Sequence, residues 1–135
     1  MNNGWLLLGV QDGHGVHGHL VSQFVKNQLP KQISIPDNNI EKGMQQAFLS
    51  MQQLLFKSKI ECAMSGSTCV ICLFTGDYLV TCNLGDSRAI LCSKTNNSWH
   101  FKPLSHDHKP ENPMEKARIL AMGGRVAKIT HPVHG

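Results

Sequence analysis

Hydrophobic residues along this chain change spacing several times, and each change predicts a different element. Trp5-Leu6-Leu7-Leu8-Gly9-Val10 is an apolar run that reads as a short buried strand ending at Gln11. Leu20, Val21, Phe24, Val25 and Leu29 then recur at helical spacing as far as Pro30, so a strand feeds a helix through Asp12-Gly13-His14-Gly15. After a polar connection from Ser34 to Asn39, a second helical stripe follows: Ile40, Met44, Ala47, Phe48, Met51, Leu54 and Leu55. Asn38 and Glu41 stand as a capping box at its start, and the Met-rich stripe is predicted to be core packing.

From Ser67 the period shortens. Thr68 to Thr75 is dense in apolar and β-branched residues, Gly76-Asp77 is a hairpin turn pair, and Tyr78 to Leu84 is a second strand that should pair antiparallel with the first. Arg88 to Ser93 and Ser98 to Leu104, joined by the turn-prone Lys94-Thr95-Asn96-Asn97, predict two more strands in the same meander. Asn112-Pro113-Met114-Glu115 starts a third helix, with Asn as N-cap and Pro at the first helical position. Gly123-Gly124 ends it, and Arg125 to Thr130 reads as one further strand. Strands and helices fall in separate groups, which predicts an α+β fold with antiparallel sheet packed against helices.

Composition narrows the function classes. With 135 residues and 41% hydrophobic content, one domain with a real core is expected. The formal charge of +4 comes from scattered Lys and Arg without a basic run, which is poor support for nucleic-acid binding. No stretch has the apolar length of a membrane span, and the N-terminus lacks the order of a secretion signal, so an intracellular protein, cytoplasmic or nuclear, is expected. The five cysteines lie mostly within apolar runs, as reduced thiols do. Cys69 and Cys72 have the spacing of a redox or zinc pair, but alternation along a strand should turn them to opposite faces.

The candidate chemistry centres on Asp12-Gly13-His14-Gly15. A carboxylate at the exit of a buried strand is held by rigid backbone, glycines admit close approach, and a histidine stands two residues on; this suits a hard divalent cation with an acid beside it. The competing reading is a simple turn, since Asp-Gly is a common turn pair. His14, His17 and His19 also lie close together, and a helix beginning near Val16 would put His14 and His17 one turn apart, the spacing of a zinc site. The plainer alternative is two solvated helix-start histidines beside one functional one. His131 and His134 belong to a tail that need not be ordered.

Three further blocks follow in order: Gly66-Ser67-Thr68, Asn83-Leu84-Gly85-Asp86-Ser87-Arg88-Ala89, and Leu104-Ser105-His106-Asp107-His108-Lys109-Pro110 ahead of Gly123-Gly124-Arg125-Val126. Together with Asp12-Gly13-His14-Gly15 they resemble the metal-dependent serine/threonine protein phosphatases of the type 2C (PPM) family, over nearly the whole chain from Gly9 to Val126. The resemblance implies an α-β-β-α sandwich and hydrolysis of phosphoserine and phosphothreonine in protein substrates by a metal-bound water, with two Mn2+ or Mg2+ ions as cofactors. It implies that Asp12 is the carboxylate bridging the two ions, that the backbone carbonyl of Gly13 is a ligand of one, and that His14 is the general acid to the leaving group. Asp86 matches a carboxylate linked to a weaker third metal position; its plainer reading is a turn residue satisfying local backbone donors. Arg88 reads as a structural pairing residue, and Asp107 with Lys109 as a loop fixed by Pro110.

The family pattern also includes an upstream acidic strand and phosphate-binding arginine, and downstream Asp-Gly and Asp-Asn pairs, none of which this chain contains. Gln11 stands where the family commonly has an aromatic, and Thr130 to Gly135 does not continue into the usual segments. Residues 1–135 are therefore expected to be the N-terminal portion of a catalytic domain, as in a truncated gene product or an incomplete reading frame. Such a portion should expose sheet edges and apolar faces and self-associate. Two rival readings stand beside the phosphatase: a non-catalytic, pseudophosphatase-like interaction module that keeps the fold, and a small histidine zinc module.

Overall fold

The structure, a computed structural model, describes residues 4–35 and 39–128. Among these, the element order is β1 (Leu6–Val10), β2 (Gly13–His14), α1 (Gly18–Gln32), α2 (Ile40–Lys57), β3 (Gly66–Ser67), β4 (Cys69–Phe74), β5 (Leu79–Leu84), β6 (Ile90–Thr95), β7 (Ser98–Pro103) and α3 (Pro113–Ala121). The apolar run at the start of the chain becomes β1, which pairs antiparallel with β4, and β4 pairs antiparallel with β5 across the predicted Gly76-Asp77 turn. Gly76 takes a φ of +98°, the left-handed value for which the turn needs glycine.

Helices α1 and α2 lie on one face of this three-stranded sheet. Val21, Val25 and Leu29 of α1 and Met44, Ala47, Met51 and Leu55 of α2 are buried against Cys69, Ile71 and Leu73 of β4, so the helical stripes and one face of the strand make a single core. The period-2 alternation of β4 puts every second side chain into that core. Leu20, placed in the α1 stripe by its spacing, is exposed instead, which narrows the buried face of α1. Helix α1 also continues through Pro30 to Gln32. The missing N–H of Pro30 falls in the last turn, and the wholly buried Leu29 beside it holds that turn against the core. Asn39 is the N-cap of α2, its side chain accepting from the Lys42 N–H at 2.9 Å; Asn38, expected in that role, lies outside the described residues.

Two expectations are corrected. Strands β6 and β7 form their own two-stranded sheet, not an extension of the meander. The bend at Gly85, with φ +97°, turns the chain out of β5, and the next residues bond to the 104–108 loop instead of to the β5 edge. The hairpin itself closes at Asn96-Asn97, both at positive φ (49° and 63°), a type I′ geometry that asparagine tolerates. Residues 125–128 are not a strand, since no described strand pairs with them; 129 and 130 lie outside the described residues. Helix α3 starts as read, Asn112 accepting from the Met114 N–H with Pro113 next, and ends at Ala121, just before the left-handed Gly123.

The second face of the β1–β4–β5 sheet is largely open, although Val70 on it is buried. Direct cross-strand pairing puts Leu6 beside Phe74, Phe74 beside Leu79, and Leu8 beside Cys72. Leu6, Leu8, Val10, Phe74 and Leu79 are all exposed, as are Ile90, Leu91, Trp99 and Phe101 on the β6–β7 hairpin.

Candidate functional site

Asp12 leaves β1 directly into β2, and the local backbone is set by glycines with no room for anything else. A Cβ on Gly13 would sit 2.2 Å from the Gly18 carbonyl oxygen, so the Asp12-Gly13 peptide packs backbone to backbone on the first turn of α1. Gly15 has φ +79°, and a Cβ there would meet the Met64 carbonyl oxygen at 2.0 Å. This left-handed residue stops β2 after two positions, and the Gly18 N–H bonds back to its carbonyl at 3.1 Å. Helix α1 therefore begins at Gly18, two residues past Val16.

That start separates the three histidines. His14 belongs to β2 and pairs with Gly66 of β3, while His17 is the N-cap residue of α1, its backbone N–H donating to Ser65 Oγ at 2.9 Å. His14 and His17 thus do not share a helical face. Among the described residues, no three His, Cys, Asp or Glu side chains converge on one point, so the zinc reading has no ligand set behind it. The His14 imidazole lies over Gly66: a Cβ on Gly66 would be 2.7 Å from Nε2. His14 also lines a cavity of about 300 Å³ together with Val21, Leu29, Met51 and Cys69.

The four sequence blocks meet here. The Asp12 N–H donates to Thr68 Oγ1 at 3.0 Å, and the Thr68 N–H donates to the Asp12 carbonyl at 2.8 Å. Thr68 Oγ1 and Ser87 Oγ share a hydrogen bond of 2.6 Å, which ties the Gly85-Asp86-Ser87 bend to the Asp12 loop. The carboxylates of Asp12 and Asp86 are exposed, and Asp86 takes no local backbone donor among the described residues, so the turn-residue reading of Asp86 is not supported. Asn83 Nδ2 donates to the carbonyls of Gly85 at 3.0 Å and His106 at 2.8 Å, and the His108 N–H donates to the Gly85 carbonyl at 3.0 Å. Sequence reasoning treated Thr68 as the start of a strand and did not single out Ser87 or Asn83. The signal available was only that a hydroxyl or amide sat in each block.

Arg88 pairs with Asp107 as a fork, Nε to Oδ1 at 2.8 Å and Nη2 to Oδ2 at 2.9 Å, with Lys109 Nζ 3.8 Å from Oδ2. These bonds hold the Asp107 carboxyl below the usual carboxylate range, the Arg88 hydrogen bond being the largest cause. Arg88 is therefore a structural pairing residue, as expected, and it clamps the 104–110 loop beside the bend. The thiols stay apart: Cys69 faces the core and Cys72 contacts Thr81 across the strand pair, and all five cysteines are free. Burial pushes the Cys69 and Cys82 thiols up, which disfavours thiolate chemistry at either.

As a metal cradle, the described residues supply hard oxygen donors of the right kind in Asp12, the Gly13 carbonyl and Asp86. They fit divalent ions in kind, and by themselves they do not close a two-ion site.

The chain is 38% identical to Probable protein phosphatase 2C 35 of Arabidopsis thaliana over 124 residues, covering 90% of this chain and 36% of that protein. It is 34% identical to Protein phosphatase 1L of Bos taurus over 133 residues, again 90% of this chain and 36% of the relative. The chain thus spans little more than a third of the length of these relatives. The fold is similar to that of a serine-threonine phosphatase 2C from Toxoplasma gondii, at TM-score 0.54 and 22% identity over 88% of this chain and 45% of that one. It is also similar to that of the PPM Ser-Thr phosphatase MsPP from Mycobacterium smegmatis, at TM-score 0.52 and 25% identity over 90% and 52%. The family model for protein phosphatase 2C matches residues 1–135 from end to end, and with the ordered blocks folded onto one loop cluster, the chain belongs to the protein phosphatase 2C family.

Proposed function

We propose that this chain carries the Asp12 and His14 corner of a phosphatase site that hydrolyses phosphoserine and phosphothreonine in protein substrates. The observation that carries the reading is the join between loops: one hydroxyl, Thr68 Oγ1, connects the backbone of Asp12 to the bend that bears Asp86. Asp12, the Gly13 carbonyl and Asp86 would hold Mn2+ or Mg2+ at two positions and a weaker third. When bound, such ions supply charge neutralisation at the phosphoryl oxygens and activate the attacking water. Asp12 would then serve as a negative anchor whose backbone is held at both N–H and C=O. His14 is exposed, rests on Gly66, and can deliver a proton to the serine or threonine oxygen as the P–O bond breaks.

The test is an exchange of parts. The region of the bovine relative that matches this chain is replaced by residues 1–135, and manganese-dependent phosphate release from a phosphoserine peptide is measured. The chimera should turn over, and Asp12→Ala should lose at least about 100-fold, the scale of removing a preorganised electrostatic group. Equal rates in the two would remove Asp12 from the mechanism. A chimera that folds, binds no manganese by calorimetry and releases no phosphate would favour the rival reading, a non-catalytic interaction module on the same fold.

A further inference from the structure

Thr68 is 8% exposed, and every polar atom it can offer to the Asp12 loop is used there. Its backbone N–H donates to the Asp12 carbonyl, its Oγ1 accepts the Asp12 N–H, and the same Oγ1 shares a 2.6 Å bond with Ser87 Oγ. A hydroxyl has one proton and two lone pairs, so all these contacts can be satisfied together. The other branch of the side chain points elsewhere. A Cβ on Gly85 would be 2.9 Å from Thr68 Cγ2, so the methyl group seats against the left-handed glycine of the bend. Threonine is thus the one residue type that supplies both the hydroxyl for Asp12 and Ser87 and the methyl for Gly85.

We infer that Thr68 is a positioning residue that locks the Asp12 loop to the Asp86 bend, so that the two carboxylates hold one spacing and respond as a unit. The inference rests on the reading of Asp12 and Asp86 as parts of one site, and it deepens that reading. Neither carboxylate is buried, and no other side chain among the described residues bonds to both loops. Without the Thr68 hydroxyl, Asp12 would keep a single backbone bond, to the Thr68 N–H, and the bend would lose its tie to it.

Valine and serine divide the two functions of the side chain: Thr68→Val keeps the methyl and loses the hydroxyl, and Thr68→Ser does the reverse. Hydrogen exchange of the full chain, read by mass spectrometry at micromolar concentration, follows peptides over Asp12 and over Leu84 to Ala89. Thr68→Val should accelerate exchange in both by about tenfold, the equivalent of one lost hydrogen bond, while β4 beyond Val70 keeps its protection. Thr68→Ser should restore the Asp12 peptide to within about threefold of the parent. The decisive readout is transmission. Ser87 bonds to Thr68 and not to Asp12, so Ser87→Ala should speed exchange at Asp12 in the parent and add nothing in the Thr68→Val background.

A Ser87→Ala variant silent at Asp12, or a Thr68→Ser variant as loose as Thr68→Val, would overturn the inference. If Thr68→Val does not fold, Thr68→Ser and the Ser87→Ala single variant decide it. Manganese supplies the separate check on the parent reading, and because residues 1–135 by themselves do not close a two-ion site it is applied to the bovine chimera: there it should slow exchange in both peptides, and Asp12→Asn should abolish that effect. Loss of the manganese effect with transmission intact would count against the phosphatase reading alone.

Discussion

At the residue scale, His14 depends on what is missing from its neighbour. Its imidazole covers Gly66 so closely that any Cβ would fall 2.7 Å from Nε2. Gly66→Ala should therefore push the ring off β3 without altering the core, because no buried side chain is touched. In the bovine chimera, the variant should lose about 10-fold or more on a phosphoserine peptide and much less on an aryl phosphate, whose leaving group needs no proton. Equal losses on both substrates would show that the ring does not act as the acid. Asp12 shows the same logic from the backbone side. Its carboxylate is free to face a ligand because its peptide groups are bonded to Thr68, while Gly13 behind it admits no substitution against Gly18.

At the element scale, three connections, not the strands themselves, bring the blocks together. The β1–β2 link, the residue between β3 and β4, and the bend after β5 carry Asp12, Thr68 and Asp86, and the 104–110 loop closes over the bend through Arg88 and Asp107. That clamp has a predictable pH dependence. The folded-state pKa of Asp107 is depressed, so its contribution is fully present above the ordinary aspartate value and is lost as pH falls through the depressed value. A carboxyl-carbon NMR titration should place the Asp107 midpoint below the usual aspartate range, and Arg88→Met should move it up. A midpoint that ignores Arg88 would mean the fork does not hold in solution.

At the scale of the whole molecule, the sheet is covered on one face only. Helices α1 and α2 bury Leu7, Ile71 and Leu73, while Leu8 is 58% exposed on the opposite face among other apolar side chains. An apolar area of this kind promotes association. Sedimentation should show concentration-dependent self-association of the chain, and Leu8→Lys should reduce it while leaving circular dichroism unchanged. Leu7→Lys, one residue away on the helix-covered face, should instead unfold the protein, because it puts an unpaired charge into the core. Association that survives Leu8→Lys would place the sticky surface elsewhere, with the exposed β6–β7 hairpin next in order.

Much of this was legible from spacing. Met44, Ala47, Met51 and Leu55 recur with the helical period and are all buried, and the strand pair around Gly76-Asp77 follows from alternation and turn chemistry, both local properties of the chain. The ordered blocks likewise announced the family, since their residue types survive in the linear sequence. Other features had no local signature. Helix α1 starts at Gly18, two residues past Val16, because Gly15 is pressed against Met64 and Ser65, some fifty positions away in the chain. The β6–β7 pair leaves the meander because the bend at Gly85 bonds to the 104–108 loop, and Thr68 becomes a junction because Asp12 and Ser87 reach it from opposite sides. Periodicity records what each residue does along its own element. Only the folded chain decides which elements share a hydrogen bond, since those partners lie far apart in sequence and meet through packing.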